Sequence, residues 1–327
     1  MKQIVLEAPG RFAERQALAP VTGKGEALIQ MEKIGVCGSD FHAFAGRHPI
    51  YTYPRVLGHE LSGVVLEAPE NDKGINPGDR CAIEPYISCG KCRACVKGKN
   101  NCCEKIRVLG VHVDGGMQEI LSVPVSLLHK SESLSLDQLA LVETLGIGAH
   151  AVKRGGLKSR EEAMVIGAGP IGISVAQFAS SMGASVHIVE RDEWRRQFVQ
   201  RMGFVASPTP AGCCADVVFD ATGNAEAMGE SLGCVSAGGN LVYVGLTRDL
   251  VRIDDSLFHR REITLLASRN SHNCFPWIIR EIEAGKIDTS SWITDRLNLS
   301  EVSSQFQHLP KRQMLIKAIV DVQDRRN

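Results

Sequence analysis

The chain has 327 residues, which is long for one hydrophobic core and natural for two domains. Lys plus Arg and Asp plus Glu both total 37, so the charge balance gives no case for nucleic acid or an anionic membrane as a partner. The sequence shows no signal peptide and no bilayer-spanning apolar stretch, so its eleven cysteines favour metal binding in a reducing cytoplasm over disulfides.

The first part of the chain, to about residue 149, is predicted to be rich in β-structure with long loops. Short runs typical of strands cover residues 26–34 and 62–67, and Gly and Pro are frequent between them. Cys37 and His59 stand in this part as candidate ligands of one metal ion. A catalytic zinc has a mixed set of protein ligands and one open position, so a carboxylate is expected as well. Glu60 beside His59 and the later Glu143 are both candidates, and Asp40 is expected to orient His59.

Four cysteines in one short run give the strongest local pattern. Their spacing is C-x2-C-x2-C-x7-C, which lets three thiolates wrap one ion and a fourth complete a tetrahedron. Such a set leaves no open position, so we predict a second, structural zinc held by Cys89, Cys92, Cys95 and Cys103.

The second part of the chain alternates apolar strands with helical stretches, which predicts an α/β fold with a doubly wound parallel sheet. Strands are expected at 163–166, 185–189, 216–219, 240–244 and 262–267, with helices at 173–182 and 275–285. A last strand at 314–322 is expected to return to the first domain. Between Gly203 and Asp216 the chain is too short and too rich in Pro and Gly for a crossover helix, so a loop is expected there.

A glycine-rich turn marks the expected nucleotide site. The run G-A-G-P-I-G follows a strand and opens a helix, so Gly167 permits the turn, Gly169 admits a pyrophosphate and Gly172 allows close packing. Glu190 ends the next strand, where a carboxylate binds ribose hydroxyls and repels a 2′-phosphate. NAD is therefore favoured over NADP, although Arg191 offers a phosphate partner.

These pieces together resemble the zinc-containing medium-chain alcohol/polyol dehydrogenases. The motifs that carry the resemblance are C-G-S-D-x-H, G-H-E, the four-cysteine loop, G-A-G-P-I-G, D-A-T-G-N and the late glutamate. L-V-E-T-L-G-I-G-A-H-A-V resembles the sorbitol dehydrogenase branch. Three further segments, Y-P-R-V-L-G-H-E, N-C-C-E-K-I-R-V-L-G-V-H-V-D-G-G-M and A-S-R-N-S, resemble bacterial L-galactonate/L-gulonate 5-dehydrogenases and starvation-sensing dehydrogenase-like proteins.

The resemblance implies a GroES-like, β-rich catalytic domain with both zinc sites over residues 1–149. It further implies a Rossmann NAD-binding domain over 150–267 and a return segment over 268–327 that completes the catalytic domain. Members of the family form homodimers or homotetramers, and the register of the family assigns Cys103 rather than Cys102 to the structural zinc. Thr144 in place of proline and the missing crossover helix depart from the family pattern.

The resemblance also implies the chemistry: a secondary alcohol of a sugar acid or polyol loses hydride to NAD, with L-galactonate or L-gulonate as the best substrate. Ser39 and His42 are expected to carry the proton away, Glu143 to ligate the zinc or hold its water, and Arg269 to clamp a carboxylate. The cofactor site is assigned to Gly167, Gly169, Pro170, Ile171, Gly172, Glu190, Arg195, Val244, Gly245 and Leu246.

Two alternatives stay open at this stage. In the first alternative, the substrate is an uncharged polyol or threonine. In the second, the protein binds NAD and a metabolite for regulation without turnover. The complete ligand set and the Ser39–His42 relay argue against the second alternative, because a protein that only binds needs no exit for a proton.

Overall fold

The structure is a computed structural model that describes residues 1–210 and 212–323. The chain forms two compact units. The first contains Met1–Glu143, Phe275–Glu283 and the chain from Thr289 onward, and the second contains Thr144–Cys274 and Ala284–Asp288. The domain limits at residues 149 and 267 stay predictions, and residues 324–327 of the expected return segment lie outside the described part.

The first unit is built mainly from short strands. Its N-terminal part contains β1 (Lys2–Ala8), β2 (Arg11–Gln16), β3 (Glu26–Val36), α1 (Gly38–Phe44), β4 (Arg55–Val56), β5 (Glu60–Glu67), β6 (Arg80–Ile83), β7 (Tyr86–Ile87), α2 (Arg93–Val96), β8 (Arg107–Val108), β9 (Ile120–Pro124) and β10 (Leu128–Lys130). Short 3-10 turns cover Asn100–Cys102 and Val125–Leu127.

Strand β3 organises this unit. Buried and half-buried residues alternate along its first half, and the strand pairs antiparallel with β5 from Leu28 to Gly35. Ile29, Met31 and Ile34 are fully buried and belong to one apolar core. The register places Gly35 opposite Glu60, so the first residue of β5 lies beside the end of β3.

The second unit is a parallel sheet with helices. Helix α3 (Leu136–Gly155) leads into β11 (Glu162–Ile166), α4 (Pro170–Ser181), β12 (Ser185–Val189), α5 (Glu193–Arg201), β13 (Val205–Ser207), β14 (Ala215–Asp220), α6 (Ala225–Glu230), β15 (Val235–Tyr243), α7 (Asp255–Arg260) and β16 (Thr264–Ala267). A 3-10 turn covers Ser231–Cys234. The strand order is β13-β12-β11-β14-β15-β16. From β11 the chain adds strands outward to one side, and from β14 it adds them outward to the other side, as in a doubly wound sheet.

The segment between α5 and β14 differs in part from the prediction. The structure has the short strand β13 there, parallel to β12, where we expected only a loop. Sequence reasoning missed it because three residues are too few for a periodic pattern. The remaining described residues of the segment, 208–210 and 212–214, contain no helix.

The chain then returns to the first unit. It adds α8 (Phe275–Glu283), β17 (Ile293–Asn298), α9 (Val302–Gln305) and β18 (Lys317–Asp321), with 3-10 turns at Leu299–Glu301 and Phe306–Lys311. Strand β18 pairs antiparallel with β3, and β17 pairs with β18. This pairing brings Lys317 next to the end of β3. Within residues 1–210 and 212–323, every helix is too short or too polar to cross a bilayer.

Candidate metal centres and nucleotide site

The four cysteines of the C-x2-C-x2-C-x7-C run converge on one point. Their sulfurs all lie within 4.8 Å of one another, and they belong to Cys89, Cys92, Cys95 and Cys103. The Cys92 sulfur is 3.5 Å from that of Cys95 and 3.9 Å from that of Cys103. Four thiolates at the zinc–sulfur distance of about 2.3 Å stand about 3.8 Å apart in a tetrahedron, so the residues fit a structural zinc. Cys102 is exposed and lies outside the cluster.

Backbone N–H groups stabilise thiolates in this loop. Backbone N–H groups of Cys95 and Glu104 lower the pKa of Cys92 to about 6. The N–H groups of Cys89 and Lys105 donate to the Cys103 sulfur at 3.3 and 3.4 Å. The loop is therefore arranged around sulfur anions, which are the form that binds metal.

A second candidate metal centre lies at the ends of β3 and β5. Ligand atoms of Cys37, His59 and Glu60 lie within 4.8 Å of one another. Cys37 caps α1, where its backbone N–H donates to Asp40 Oδ2 at 3.0 Å, and Asp40 Oδ1 lies 3.7 Å from His59 Nδ1. Asp40 thus holds the start of the helix. It also faces Nδ1 of His59, which leaves Nε2, the other ring nitrogen, for a metal ion.

Charge around His59 suits a cation. Burial disfavours the protonated ring, but the charges of Asp40 and Cys37 favour it more strongly. The pKa of His59 is therefore raised well above its usual value. Among residues 1–210 and 212–323, neither His59 Nδ1 nor Asp40 Oδ1 has a hydrogen-bond partner. Thiolate, imidazole and carboxylate are the donor types of catalytic zinc sites, so the residues fit that metal.

Glu60 is held by a lysine that sequence reasoning did not single out. Lys317 Nζ lies 2.6 and 2.8 Å from the two carboxylate oxygens, and both side chains are almost fully buried. The absence of a side chain on Gly35 makes room for the pair, because a Cβ there would lie 2.0 Å from Glu60 Oε2. A lone lysine in the apolar run M-L-I-K-A-I-V was the available signal for a buried partner.

Glu143 lies near this centre but outside the three-residue cluster. It is buried in α3, and the hydroxyl of Tyr86 donates to its Oε1. Burial raises the pKa of Glu143, His59 opposes the rise and Glu60 adds to it. The geometry therefore groups Glu60, and not Glu143, with Cys37 and His59.

The predicted proton path starts at α1. Ser39 is half-buried, whereas His42 is exposed in the last turn of the helix. Tyr51, which the sequence did not indicate, is only 5% exposed and packs edge-on to His48 with ring centroids 4.9 Å apart. Its hydroxyl lies beside Ser39, and by strict distance and angle no described residue is a hydrogen-bond partner for it. Burial, followed by the charge of Asp40, raises the pKa of Tyr51, so its hydroxyl stays a donor.

The glycine-rich turn between β11 and α4 has the expected geometry. Gly167 has φ of +99°, and a Cβ on Gly172 would lie 1.8 Å from the Gly167 carbonyl oxygen. A Cβ on Gly169 would meet only Arg195 Nη1, at 3.7 Å. The turn therefore requires glycine at its first and third positions, and its second position is open to a ligand.

A cavity of about 420 Å³ opens at this turn. Glu190 lies in its wall with both carboxylate oxygens fixed, because Oε2 accepts from Ala168 N–H at 2.7 Å and Oε1 from Asp192 N–H at 2.9 Å. Of the predicted cofactor residues, the cavity is lined by Gly167, Gly169, Glu190 and Arg195; among the described residues, Pro170, Ile171, Gly172, Val244, Gly245 and Leu246 do not line it.

The remaining predicted residues lie at strand ends of the second unit. Val244 and Gly245 both donate their N–H groups to the Asp220 carbonyl at 2.9 Å, and Leu246 is 83% exposed. Arg269 is exposed and follows β16. In the first unit His112 Nδ1 accepts from the Val108 N–H at 3.1 Å, which is a structural role for that histidine.

Comparison with known proteins decides the family. Residues 23–133 match the alcohol dehydrogenase GroES-like domain, and residues 170–284 match the zinc-binding dehydrogenase family. The L-galactonate-5-dehydrogenase of Escherichia coli K12 is 34% identical over 98% of both chains. The chain belongs to the zinc-binding alcohol dehydrogenases. The predicted family, the GroES-like and Rossmann fold and the enzyme class acting on CH–OH groups are thereby confirmed.

Two solved structures of dehydrogenases share the fold over 98% of this chain and 99% of their own. A zinc-binding dehydrogenase from Sinorhizobium meliloti 1021, bound to NADP, is 28% identical with a TM-score of 0.92. A short chain alcohol dehydrogenase (rspB) from Escherichia coli CFT073, complexed with NADH, is 27% identical with a TM-score of 0.92. Both nicotinamide cofactors thus occur among relatives of this zinc-binding alcohol dehydrogenase.

Replacement of Glu190 by glutamine should weaken use of NAD and reduce discrimination against NADP. We expect kcat/KM for NAD to fall about tenfold, because a hydrogen bond to a charged group is worth about 1.5–3 kcal/mol. The measurement is the ratio of kcat/KM for the two cofactors. Glu193→Gln, on the exposed side of α5, is the matched control. An unchanged ratio in Glu190→Gln contradicts the assignment.

Proposed function

We propose that this protein oxidises a secondary alcohol of a sugar acid, with L-galactonate or L-gulonate as the best substrate and NAD as the hydride acceptor. The observation that carries the proposal is the cluster of Cys37, His59 and Glu60, a donor set suited to a catalytic zinc. The L-galactonate-5-dehydrogenase relative, similar over the full chain, supports the class of substrate.

In this proposal Cys37, His59 and Glu60 hold the catalytic zinc, and Cys89, Cys92, Cys95 and Cys103 hold the structural one. When bound, the catalytic ion acts as a Lewis acid that makes the substrate hydroxyl more acidic. Lys317 holds the Glu60 carboxylate in place, and Asp40 orients the ring of His59. The chain thus supplies a preformed and charged pocket that costs little reorganisation.

The proton leaves through α1 in the proposed mechanism. Ser39 is half-buried, two residues after Cys37, so its hydroxyl can accept the proton of the substrate alcohol. His42 stands exposed one turn later, where it can release the proton to water. The hydroxyl of Tyr51 lies beside Ser39 and has no strict hydrogen-bond partner within the described chain, so it is a donor for an oxygen of the substrate.

NAD is the proposed cofactor because of Glu190. Its carboxylate is fixed by two backbone N–H groups, so it cannot turn away from a 2′-phosphate. A fixed anion at the ribose favours two free hydroxyls over a phosphate. Arg191 and Arg195 also line the cavity, and we assign Arg195 to the phosphates because its guanidinium lies beside Gly169.

The proposal is tested by NADH formation with zinc-replete protein over L-galactonate, L-gulonate, D-gluconate, sorbitol, galactitol and L-threonine. We expect one hexonate to give the highest kcat/KM. Preference for sorbitol or galactitol rejects the sugar acid and keeps the dehydrogenase. No turnover of any compound, with two zinc ions bound per chain, contradicts the proposed substrate class and favours a binding protein.

Arg269→Ala should separate acids from polyols. A bidentate arginine–carboxylate contact is worth about 1.5–3 kcal/mol, so we expect kcat/KM for the hexonate to fall about 10- to 100-fold. Activity with an uncharged polyol should change little. Arg248→Ala, at another exposed arginine of the second unit, is the control. Equal losses on both kinds of substrate show that Arg269 does not bind the carboxylate.

We also propose a cytoplasmic homo-oligomer, a dimer or tetramer. None of the eleven cysteines, all within the described residues, forms a disulfide, which agrees with a reducing compartment. Strand β16 pairs only with β15 in the described sheet, so its outer edge can add a strand from a second copy. Light scattering of the purified protein gives the mass directly, and a monomer at micromolar concentration rejects the oligomer.

A further inference from the structure

Two cysteines stand side by side at the start of neighbouring strands in the second unit. Ala215 of β14 and Val235 of β15 are paired in the sheet register. Cys214 and Cys234 are the residues directly before them in the chain. Adjacent strands lie about 4.8 Å apart, which is within the range of Cα separations that a disulfide spans. The Cys214 sulfur lies 3.7 Å from the carbonyl oxygen of Gly233, the residue before Cys234.

An arginine lies beside one of these cysteines. Arg261 Nη1 lies 3.5 Å from the Cys214 sulfur. The same nitrogen donates to the carbonyl oxygens of Gly233 at 3.0 Å and Val235 at 2.6 Å, which fixes the guanidinium beside the thiol. A guanidinium is always charged, so a fixed positive charge stands beside this sulfur, an environment typical of reactive cysteines.

The two thiols differ in access. Cys214 is half-buried, and residues 208–210 and 212–214, the described residues before β14, contain no helix that would cover it. Cys234 is 7% exposed and lines the cavity that contains Glu190. Burial raises the pKa of Cys234 to about 11, so it stays protonated at neutral pH. This is the arrangement of an accessible attacking sulfur beside a resolving thiol.

We propose that Cys214 and Cys234 form a hydroperoxide-reactive pair that closes to an intramolecular disulfide. The Cys214 thiolate attacks the terminal oxygen of the hydroperoxide, whose O–O bond breaks and leaves an alcohol, or water from hydrogen peroxide, after taking up a proton. Cys214 is then a sulfenic acid. The Cys234 sulfur attacks it, the S–O bond breaks, and the thiol proton leaves with the hydroxide as water. Two thiols are oxidised and one hydroperoxide is reduced.

The site does not depend on the proposed substrate. It lies in the second unit and uses none of the zinc ligands. Because Cys234 is part of the cavity wall, the disulfide places a modification at the nucleotide cavity itself.

The test is peptide mapping of the zinc-loaded protein after treatment with substoichiometric hydrogen peroxide and alkylation. Residues 202–247 contain no Lys or Arg, so trypsin leaves both cysteines on one peptide, whereas cleavage after Glu226 and Glu230 separates them. We expect a Cys214–Cys234 cross-link that Cys214→Ser and Cys234→Ser abolish and Cys213→Ser retains. Zinc content is measured in parallel and should stay unchanged.

Two outcomes overturn the proposal. The first is a cross-link through the exposed Cys213, and the second is oxidation of Cys214 with Cys234 still fully alkylated. A further variant, Arg261→Gln, tests the role of the positive charge beside the sulfur. We expect cross-linking to slow about tenfold, because reactive cysteines depend on electropositive surroundings. Arg261→Lys keeps the charge and should restore the rate, whereas an unchanged rate in Arg261→Gln contradicts the role of the arginine.

Discussion

Lys317→Met is expected to lower the free energy of unfolding by about 3–5 kcal/mol, because it leaves a buried carboxylate without its partner. Lys317 and Glu60 are 3% and 1% exposed, so water cannot take over the lost contacts. Burial opposes the charge on Lys317, but Glu60 and then Cys37 outweigh it and raise its pKa. Each charge therefore stabilises the other. Removal of either leaves the other buried without compensation, which destabilises the folded state.

The matched control also involves strand β18. Lys33 on β3 pairs with Asp321 on β18 at 2.6 Å, but both side chains are 20% exposed. We expect Lys33→Met to cost no more than about 1 kcal/mol, as is usual for pairs near the surface. Urea unfolding of zinc-replete protein measures both variants. Similar losses in Lys33→Met and Lys317→Met contradict the argument that burial makes the difference.

Cys103→Ser is expected to reduce the zinc content from two ions per chain to one. The Cys103 sulfur lies in the four-cysteine cluster, and a hydroxyl in its place is a poor zinc ligand. The surrounding loop has little other structure, only the four residues of α2 and one 3-10 turn. Structural zinc contributes about 10–16 kcal/mol of apparent binding energy in small zinc domains, so its loss should unfold the loop.

Metal analysis and limited proteolysis measure this effect. Lys91, Arg93, Lys97, Lys99 and Lys105 are possible trypsin sites in the loop. We expect rapid cleavage there in Cys103→Ser and slow cleavage in the parent protein. Cys102→Ser, one residue away and exposed, is the control and should keep both ions. Loss of zinc from Cys102→Ser with retention in Cys103→Ser reverses the ligand assignment.

The local motifs were predictable from the sequence because each is contained in a short stretch of chain. The cysteine loop spans Cys89 to Cys103, and its spacing alone limits how the sulfurs can meet. The glycine turn is equally local, since Gly167 and Gly172 contact each other across one helical turn. Strand β12 agrees with its prediction at both ends, because turns bound it on each side.

Long-range contacts decided the rest. Glu60 and Glu143 were equal candidates from the sequence. The pairing of β3 with β5 places Glu60 in the cluster, whereas Glu143, on α3, accepts a hydrogen bond from Tyr86. Tyr51 was not indicated because its burial depends on packing and not on periodicity.

The sequence by itself determined the family, the doubly wound sheet and both sets of candidate zinc ligands, because spacing and periodicity act over a few residues. The tertiary structure decided how those sites are supported. Lys317 is separated from Glu60 by 257 residues and reaches it only because β18 returns to pair with β3. Cys214 and Cys234 are likewise joined by strand register alone. Charges and thiols at such separations interact only after the sheets have formed, so no local pattern predicts them.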